Sequence, residues 1–358
     1  MKNRLSFWSI CLILVLSNWL QVGCHTGSNE AAPQGTCRIQ EYVSTSGSTG
    51  ATTVNKTNYV YDSQGNLSKT VTTLDKRSTG GNNDAQTGTT TAVYTYDTEG
   101  YLTKMVSQET RTNIFAGKTT SEQVSINSSY TYTNGRLSTV NTRTIGAYGV
   151  NTTTTESYVY DGAGDLTKKI AMSTYDYDPA VATEIPTGST ENQQIWTYQK
   201  NQLVDYVIKS GTSESRPLTI VNGLVTAFST TGNLKTNWAY DSQQRQLKID
   251  EFVSDTLTRT TSQTWSDAKP AINSLPTFKG FPLPVPTTEF GQAGVLSTST
   301  YSSWNKVSRK MEQYSQQTAT ILTNSQGFIT NATISVNYPA AASQGYTTTE
   351  TYTYSGCQ

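Results

Sequence analysis

Tyr59-Val60-Tyr61-Asp62-Ser63-Gln64-Gly65-Asn66-Leu67-Ser68-Lys69-Thr70-Val71 reads as strand, tight turn, strand. Tyr59 and Tyr61 are two apart, so on a strand they share one face. Asp62 opens a type I turn with its side chain bonded to nearby backbone. Gly65 stands where that turn, closed by a bulge, requires positive φ. The spacing sets Asp62 opposite Asn66 and Tyr61 opposite Leu67. That cross-strand aromatic–aliphatic pair is worth ~0.2–1 kcal/mol. The aliphatic row is expected to resume at Val71, on the Leu67 face.

The stretch recurs outward along the chain. The next units are Tyr94-Thr95-Tyr96-Asp97-Thr98-Glu99-Gly100-Tyr101-Leu102 and Tyr130-Thr131-Tyr132-Thr133-Asn134-Gly135-Arg136-Leu137. Then come Tyr158-Val159-Tyr160-Asp161-Gly162-Ala163-Gly164-Asp165-Leu166, the decayed Trp196-Thr197-Tyr198 with Leu203, and Trp238-Ala239-Tyr240-Asp241 with Leu247 beyond its turn. Their first aromatics are 28 to 42 residues apart. A step of that size holds two long strands and two turns. It predicts an antiparallel up-and-down meander with tight turns at one end and looser ones, such as 78–84 and 115–118, at the other. Asp62, Gly65, Asp97, Gly100, Asp161 and Gly164 are read as structural turn residues, Asp241 with them.

Composition agrees with an all-β chain. Of 358 residues, 22 are Tyr and 26 are Gly, and only 34% are hydrophobic, which suits strands with one apolar and one wet face. The 26 basic residues balance 26 acidic ones, so no charge excess calls for nucleic acid.

Residues 1–23 have the form of a lipoprotein signal peptide: Lys2 and Arg4, an apolar run from Leu5 to Leu20, then Val22-Gly23-Cys24. Gln21 replaces the usual Leu three places before the cysteine. Cys24 is the expected lipidation site, residues 24–36 a flexible tether, and 37–358 a single large β domain. Cys37 and Cys357 then flank the first and last strand-like stretches. A disulfide between them is expected in an exported protein, with two free thiols or a metal pair as the alternatives. If it forms, the first and last strands are neighbours, and the sheet is a closed barrel or strongly curled.

The rhythm breaks after Trp265. Residues 266–296 carry Pro270, Pro276, Pro282, Pro284 and Pro286 among apolar side chains such as Phe278 and Phe281. Proline removes ladder donors, so this is no central strand. It reads as a non-strand insertion packing on or in the sheet.

The motif Tyr-x-Tyr-Asp-x-x-Gly-x-Leu resembles the YD repeats of Rhs-type proteins. Cys24, Cys37, Trp265-Ser266-Asp267-Ala268-Lys269-Pro270 and Tyr352-Thr353-Tyr354-Ser355-Gly356-Cys357 fall in an order similar to Bacteroidota lipoproteins with scattered YD-like units. Those are domains of unknown function with a porin-like fold. The resemblance implies a many-stranded antiparallel barrel, anchored at the bacterial outer membrane by lipid, and implies no activity. A membrane-spanning barrel needs an apolar outer band. Ser107-Gln108-Glu109-Thr110-Arg111-Thr112-Asn113 has no apolar face, so polar residues are expected outside and the Tyr/Leu/Val face inside.

Chemistry is sparse. His25 is the only histidine and lies beside the anchor, which removes imidazole catalysis and histidine-based zinc sites from the β domain. No Gly-rich loop joins a strand to a helix. No cofactor or metal site is expected. Asp176, Asp178 and Glu184 are candidates for a glycosidase-like carboxylate pair, against the plainer reading of a solvated loop. The leading expectation is a non-enzymatic binding or structural module. A carrier of a glycan or apolar ligand inside the sheet is second, and a glycan-active enzyme third.

Overall fold

The computed structural model describes residues 37–48, 50–78, 84–146, 150–177, 192–200, 202–229, 233–282, 294–305, 308–340 and 345–357. Twenty-one strands form one sheet. In chain order they are β1 (Arg38–Ser48), β2 (Ala51–Tyr61), β3 (Leu67–Ser78), β4 (Ala85–Tyr96), β5 (Leu102–Phe115), β6 (Lys118–Thr133) and β7 (Arg136–Ile145). Next are β8 (Val150–Tyr160), β9 (Leu166–Tyr177), β10 (Asn192–Gln199), β11 (Gln202–Ser210), β12 (Ser213–Ser215), β13 (Leu218–Val221) and β14 (Leu224–Ser229). The last are β15 (Leu234–Tyr240), β16 (Gln246–Val253), β17 (Thr256–Ser266), β18 (Val295–Asn305), β19 (Lys310–Thr323), β20 (Ile329–Asn337) and β21 (Tyr346–Ser355).

Each strand pairs antiparallel with its sequence neighbours from β1 to β12 and from β13 to β21. β21 also pairs with β1. The ladder therefore runs unbroken from β13 through β21 and β1 to β12. The sheet is not closed: no ladder joins β12 to β13 among the described residues. Those two free edges are linked by Arg216 and Pro217 alone. A flat sheet of this size would hold them roughly 95 Å apart at ~4.8 Å per strand. A two-residue link forces the sheet to curl until its edges meet.

The register shows how each corner works. Val60 pairs with Lys69 but Tyr61 pairs with Leu67, so Ser68 is a bulge. The same one-residue slip follows Tyr96, Tyr132 and Tyr160, at Thr103, Ser138 and Thr167. Each bulge hydroxyl donates across the strand: Ser68 to Val60 O (3.1 Å), Thr103 to Thr95 O (3.1 Å), Ser138 to Thr131 O (3.1 Å), Thr167 to Val159 O (3.1 Å). Bulges raise local twist, which curls the sheet. They also reverse side-chain alternation. Val71 therefore pairs with Asn58 and shares its face, not that of Leu67 as the simple period-2 reading expects.

Four other expectations change. Gln246, not Leu247, occupies the Leu position opposite Tyr240, and Leu247 faces outward. The step from Trp196 to Trp238 contains an extra hairpin, β13–β14, turning at Asn222-Gly223 with Ile220 opposite Val225. The corner between Phe115 and Lys118 is a two-residue turn at Ala116-Gly117, not a loose one. Ser266 ends β17 and Val295 begins β18, so strand structure enters both ends of the proposed insertion.

The core is a belt just inside the tight-turn end. Ile39, Leu67, Leu102, Leu137, Leu166, Leu203, Val225 and Ile329 hold the Leu position of successive hairpins and are each at most 5% exposed. One cluster joins Ala92, Leu102, Met105, Tyr130, Leu137 and Val140 with Phe278. A second joins Leu166, Tyr198, Leu203 and Val225.

Candidate functional site

The repeated residues meet at the corners. The Asp62 carboxylate accepts the backbone N–H groups of Gln64 (2.9 Å) and Asn66 (2.8 Å), and Gly65 N–H reaches Asp62 O at 3.0 Å. Asp97 takes the N–H groups of Glu99 and Tyr101. Asp161 takes those of Ala163, Gly164 and Asp165, and Asp241 those of Gln243 and Arg245. Gly65, Gly100 and Gly164 all have positive φ. At Gly65 (φ 86°) a side chain meets a second obstacle, since a Cβ there would collide with the Arg38 guanidinium. Arg38 lies 5.6 Å from the centre of the Tyr61 ring, and Arg136 stands in the same relation to Gly164 and Tyr160.

The second Tyr of most units reaches back to the preceding hairpin. Tyr61 donates its hydroxyl to Ile39 O (2.7 Å), Tyr96 to Leu67 O (2.8 Å) and Tyr132 to Leu102 O (2.9 Å). Tyr160 donates to Leu137 O (2.9 Å), Tyr240 to Val225 O (2.7 Å) and Tyr354 to Ile329 O (2.6 Å). Trp265 plays the same part with its indole N–H, on Gln246 O at 2.7 Å. Burial raises the pKa of these hydroxyls above the usual tyrosine value, for Tyr160 to about 12 even though Arg136 pulls the other way. This clasp was not anticipated from the sequence. The constant Tyr-to-Leu spacing was its visible signal.

Cys37 and Cys357 form a disulfide, Cα atoms 4.4 Å apart, across 320 residues of chain. It occupies the place of a tight turn. Tyr354 pairs with Ile39 as Tyr61 pairs with Leu67, and a bulge follows in the same position, at Gln40. The chain's first and last strands thus make one repeat unit, with a covalent bond for a corner.

Residues 266–282 cross the tight-turn end. Lys269 N–H reaches Gly327 O (2.8 Å) and Ile329 N–H reaches Lys269 O (3.1 Å). A short 3₁₀ turn, Ala271–Ser274, presents the Ser274 hydroxyl to Ile39 N–H at 3.2 Å. Phe278 stacks near Tyr94 and Tyr96, and Phe281 packs on Tyr130 and Tyr132. Gly280 then accepts Leu137 N–H at 2.7 Å. A Cβ on Gly280 would lie 2.6 Å from Gly135 O, so only glycine admits this approach.

Above the belt the inner face turns polar. Thr57 bonds Thr72 (3.0 Å), Ser128 bonds Thr142 (2.9 Å) and Thr154 bonds Ser173 (3.0 Å). Two glutamates stand two residues before a Tyr-x-Tyr pair on this face. Glu156 accepts the Tyr158 hydroxyl (2.8 Å) and pairs with Lys169 Nζ (2.6 Å). Lys169 in turn lies over Trp196, 4.8 Å from the ring centre. Glu350 accepts hydroxyls from Tyr42 (3.0 Å) and Tyr352 (2.8 Å). The carboxylate raises both phenols further, after burial, with Tyr42 pushed up to about 12. This Glu156–Lys169–Trp196 group is the candidate ligand site on the inner face.

Asp176 lies in β9, while Asp178, Glu184, His25 and Cys24 fall outside the described residues, as do the signal peptide and tether. Among the described residues no cluster of three His, Cys, Asp or Glu side chains could hold a metal ion.

No protein-family description matches the chain, and no curated protein matches it. The resemblance to YD-repeat lipoproteins therefore rests on its motifs. Among solved structures, the chain aligns with a porin-like protein from Bacteroides uniformis at 13% identity and TM-score 0.35, over 91% of this chain and 100% of the other.

Proposed function

We propose that this chain is an exported envelope lipoprotein, held at the bacterial outer membrane through an acyl group on Cys24. Its β domain acts as a non-enzymatic structural or binding module, without cofactor or nucleic-acid partner. The observation that carries this reading is the commitment of the repeated corner residues to construction. Asp binds its own turn, Ser or Thr its bulge, and Tyr the preceding hairpin. The outer face of β4 and β5 supports a non-spanning sheet: past Val93 and Val106, its pairs are Thr91–Gln108, Thr89–Thr110 and Thr87–Thr112. Metabolic labelling with palmitate tests the anchor. Label is expected in the wild type and absent in Cys24→Ala, and equal labelling of both would contradict it.

A second reading, a carrier of a glycan or apolar ligand, is favoured by Trp196 and Tyr206, whose ring centres are 5.2 Å apart beside the Glu156–Lys169 pair. Such rings stack on sugars and apolar groups alike. Screening a glycan panel by tryptophan fluorescence tests it. Saturable quenching lost in Trp196→Ala supports a carrier, and no saturable change with any glycan leaves the structural module.

A further inference from the structure

Among the described residues the sheet has one seam, and its chemistry differs from every other strand boundary. β13 runs within 8 Å of β11, Cα to Cα, yet no ladder joins it to β11 or β12 among the described residues. Pro217 supplies no N–H at the seam, and its carbonyl is taken by Ser229 N–H at 2.8 Å on the β14 side. Asp205 on β11 holds the Tyr206 backbone N–H with its own carboxylate at 2.9 Å. β12 is three residues long and wholly exposed. Short, charged and proline-bearing edges are the devices that keep strands from pairing.

The ion pairs here join β11, β12 and the link that precedes β13, and among the described residues none reaches β13 itself; Arg216–Asp205 is the pair that ties that link back to β11. Arg216 reaches Glu214 at 2.6 Å and Asp205 at 3.5 Å, and Lys209 reaches Glu214 at 3.3 Å. All four side chains are 38–59% exposed. Exposed pairs are individually weak and screened by salt, whereas ladder bonds are not. Behind the seam lie Leu203 and Val225, at 3% and 0% exposure, with Leu218 and Ile220 packed against that cluster.

We infer that the seam is a lateral gate, where the sheet parts to open its apolar interior to the outside, with Arg216 as the latch. Opening requires the exposed Arg216–Asp205 pair and the packing of Leu218 and Ile220 on Leu203 and Val225 to give way; every other boundary must break a ladder. The gate widens as salt rises.

Hydrogen–deuterium exchange on the full chain tests this. Amides of 203–207 and 218–221 are expected to exchange at least tenfold faster than those of 69–72 and 89–93. One molar NaCl, or Arg216→Gln, should accelerate the seam about threefold or more and leave the second set unchanged. Seam protection equal to that of 69–72 and 89–93 would overturn the gate. So would acceleration of both sets alike by salt or substitution. The salt arm uses the unaltered protein, so the outcome does not depend on the variant folding.

Discussion

The sector from β4 to β7 and the sector from β10 to β14 share one inner-face vocabulary but are held together differently. In the first, strands of 10 to 16 residues carry long ladders, and Phe278 and Phe281 fill the belt from the tight-turn end. In the second, strands shrink to between 3 and 9 residues, Ile220 stands where Tyr is usual, and one boundary has no ladder, with an ion pair from the Arg216 link to β11 beside it. The contrast shows that the belt sets which residues point inward, while ladder length and filling set how firmly a sector holds.

Substitution in the two belts should break this symmetry most strongly. Phe278→Ala removes a ring packed against Tyr94, Tyr96 and Phe281, and should cost about 3–5 kcal/mol. Val225→Ala removes two methyl groups from the seam side and should cost about 2 kcal/mol. Urea midpoints at constant m-value measure both. Equal losses would mean that the filling from the tight-turn end contributes nothing.

A smaller effect separates the corners. Gly65→Val places a β-branched residue at φ 86° and against Arg38, and should destabilise by about 1–3 kcal/mol. Gly223→Val, at φ 79°, meets the Gln202 side chain, whose Cβ is 3.2 Å from the new atom. That flexible neighbour can give way, so its loss should be the lesser when both are measured by thermal melting. The reverse order would contradict the stacking role of Arg38.

The tyrosine clasps sharpen the comparison further. Tyr96→Phe should cost about 1 kcal/mol, the net worth of one hydrogen bond. High pH should act on the whole set. Unfolded tyrosines lose their proton near pH 10.0, while burial pushes Tyr42, Tyr59 and Tyr160 up to about 12. Stability present below pH 10 is therefore lost as pH climbs from 10 through 12. Urea midpoints should be flat up to pH 9 and fall steeply by pH 11. A midpoint independent of pH over that range would show the phenols to be solvated.

Much of this was legible in the sequence because turn chemistry is local. Asp62 and Gly65 announce a corner through the backbone geometry that only such residues support. The meander and the inward Tyr–Leu row follow from it, and the meeting of the first and last strands follows from Cys37 and Cys357. The bulge was not legible, since Ser68 looks like any strand residue until its register is known, and one slip moved Val71 to the other face. The β13–β14 hairpin was hidden because Ile220 and Val221 replace the Tyr and Asp that mark a unit. The inner-face ion pair was equally hidden, because Glu156 and Lys169 meet only through the β8–β9 register.

The central claim is that the first and last described strands make one repeat unit and that, among the described residues, the sheet's only break is internal, at Pro217. Mass mapping of non-reduced peptides tests it most directly. The account predicts one cross-linked peptide joining Cys37 to Cys357, whose removal should cost about 2–5 kcal/mol. Recovery of both cysteines as alkylated free thiols from protein kept under oxidising conditions would contradict it.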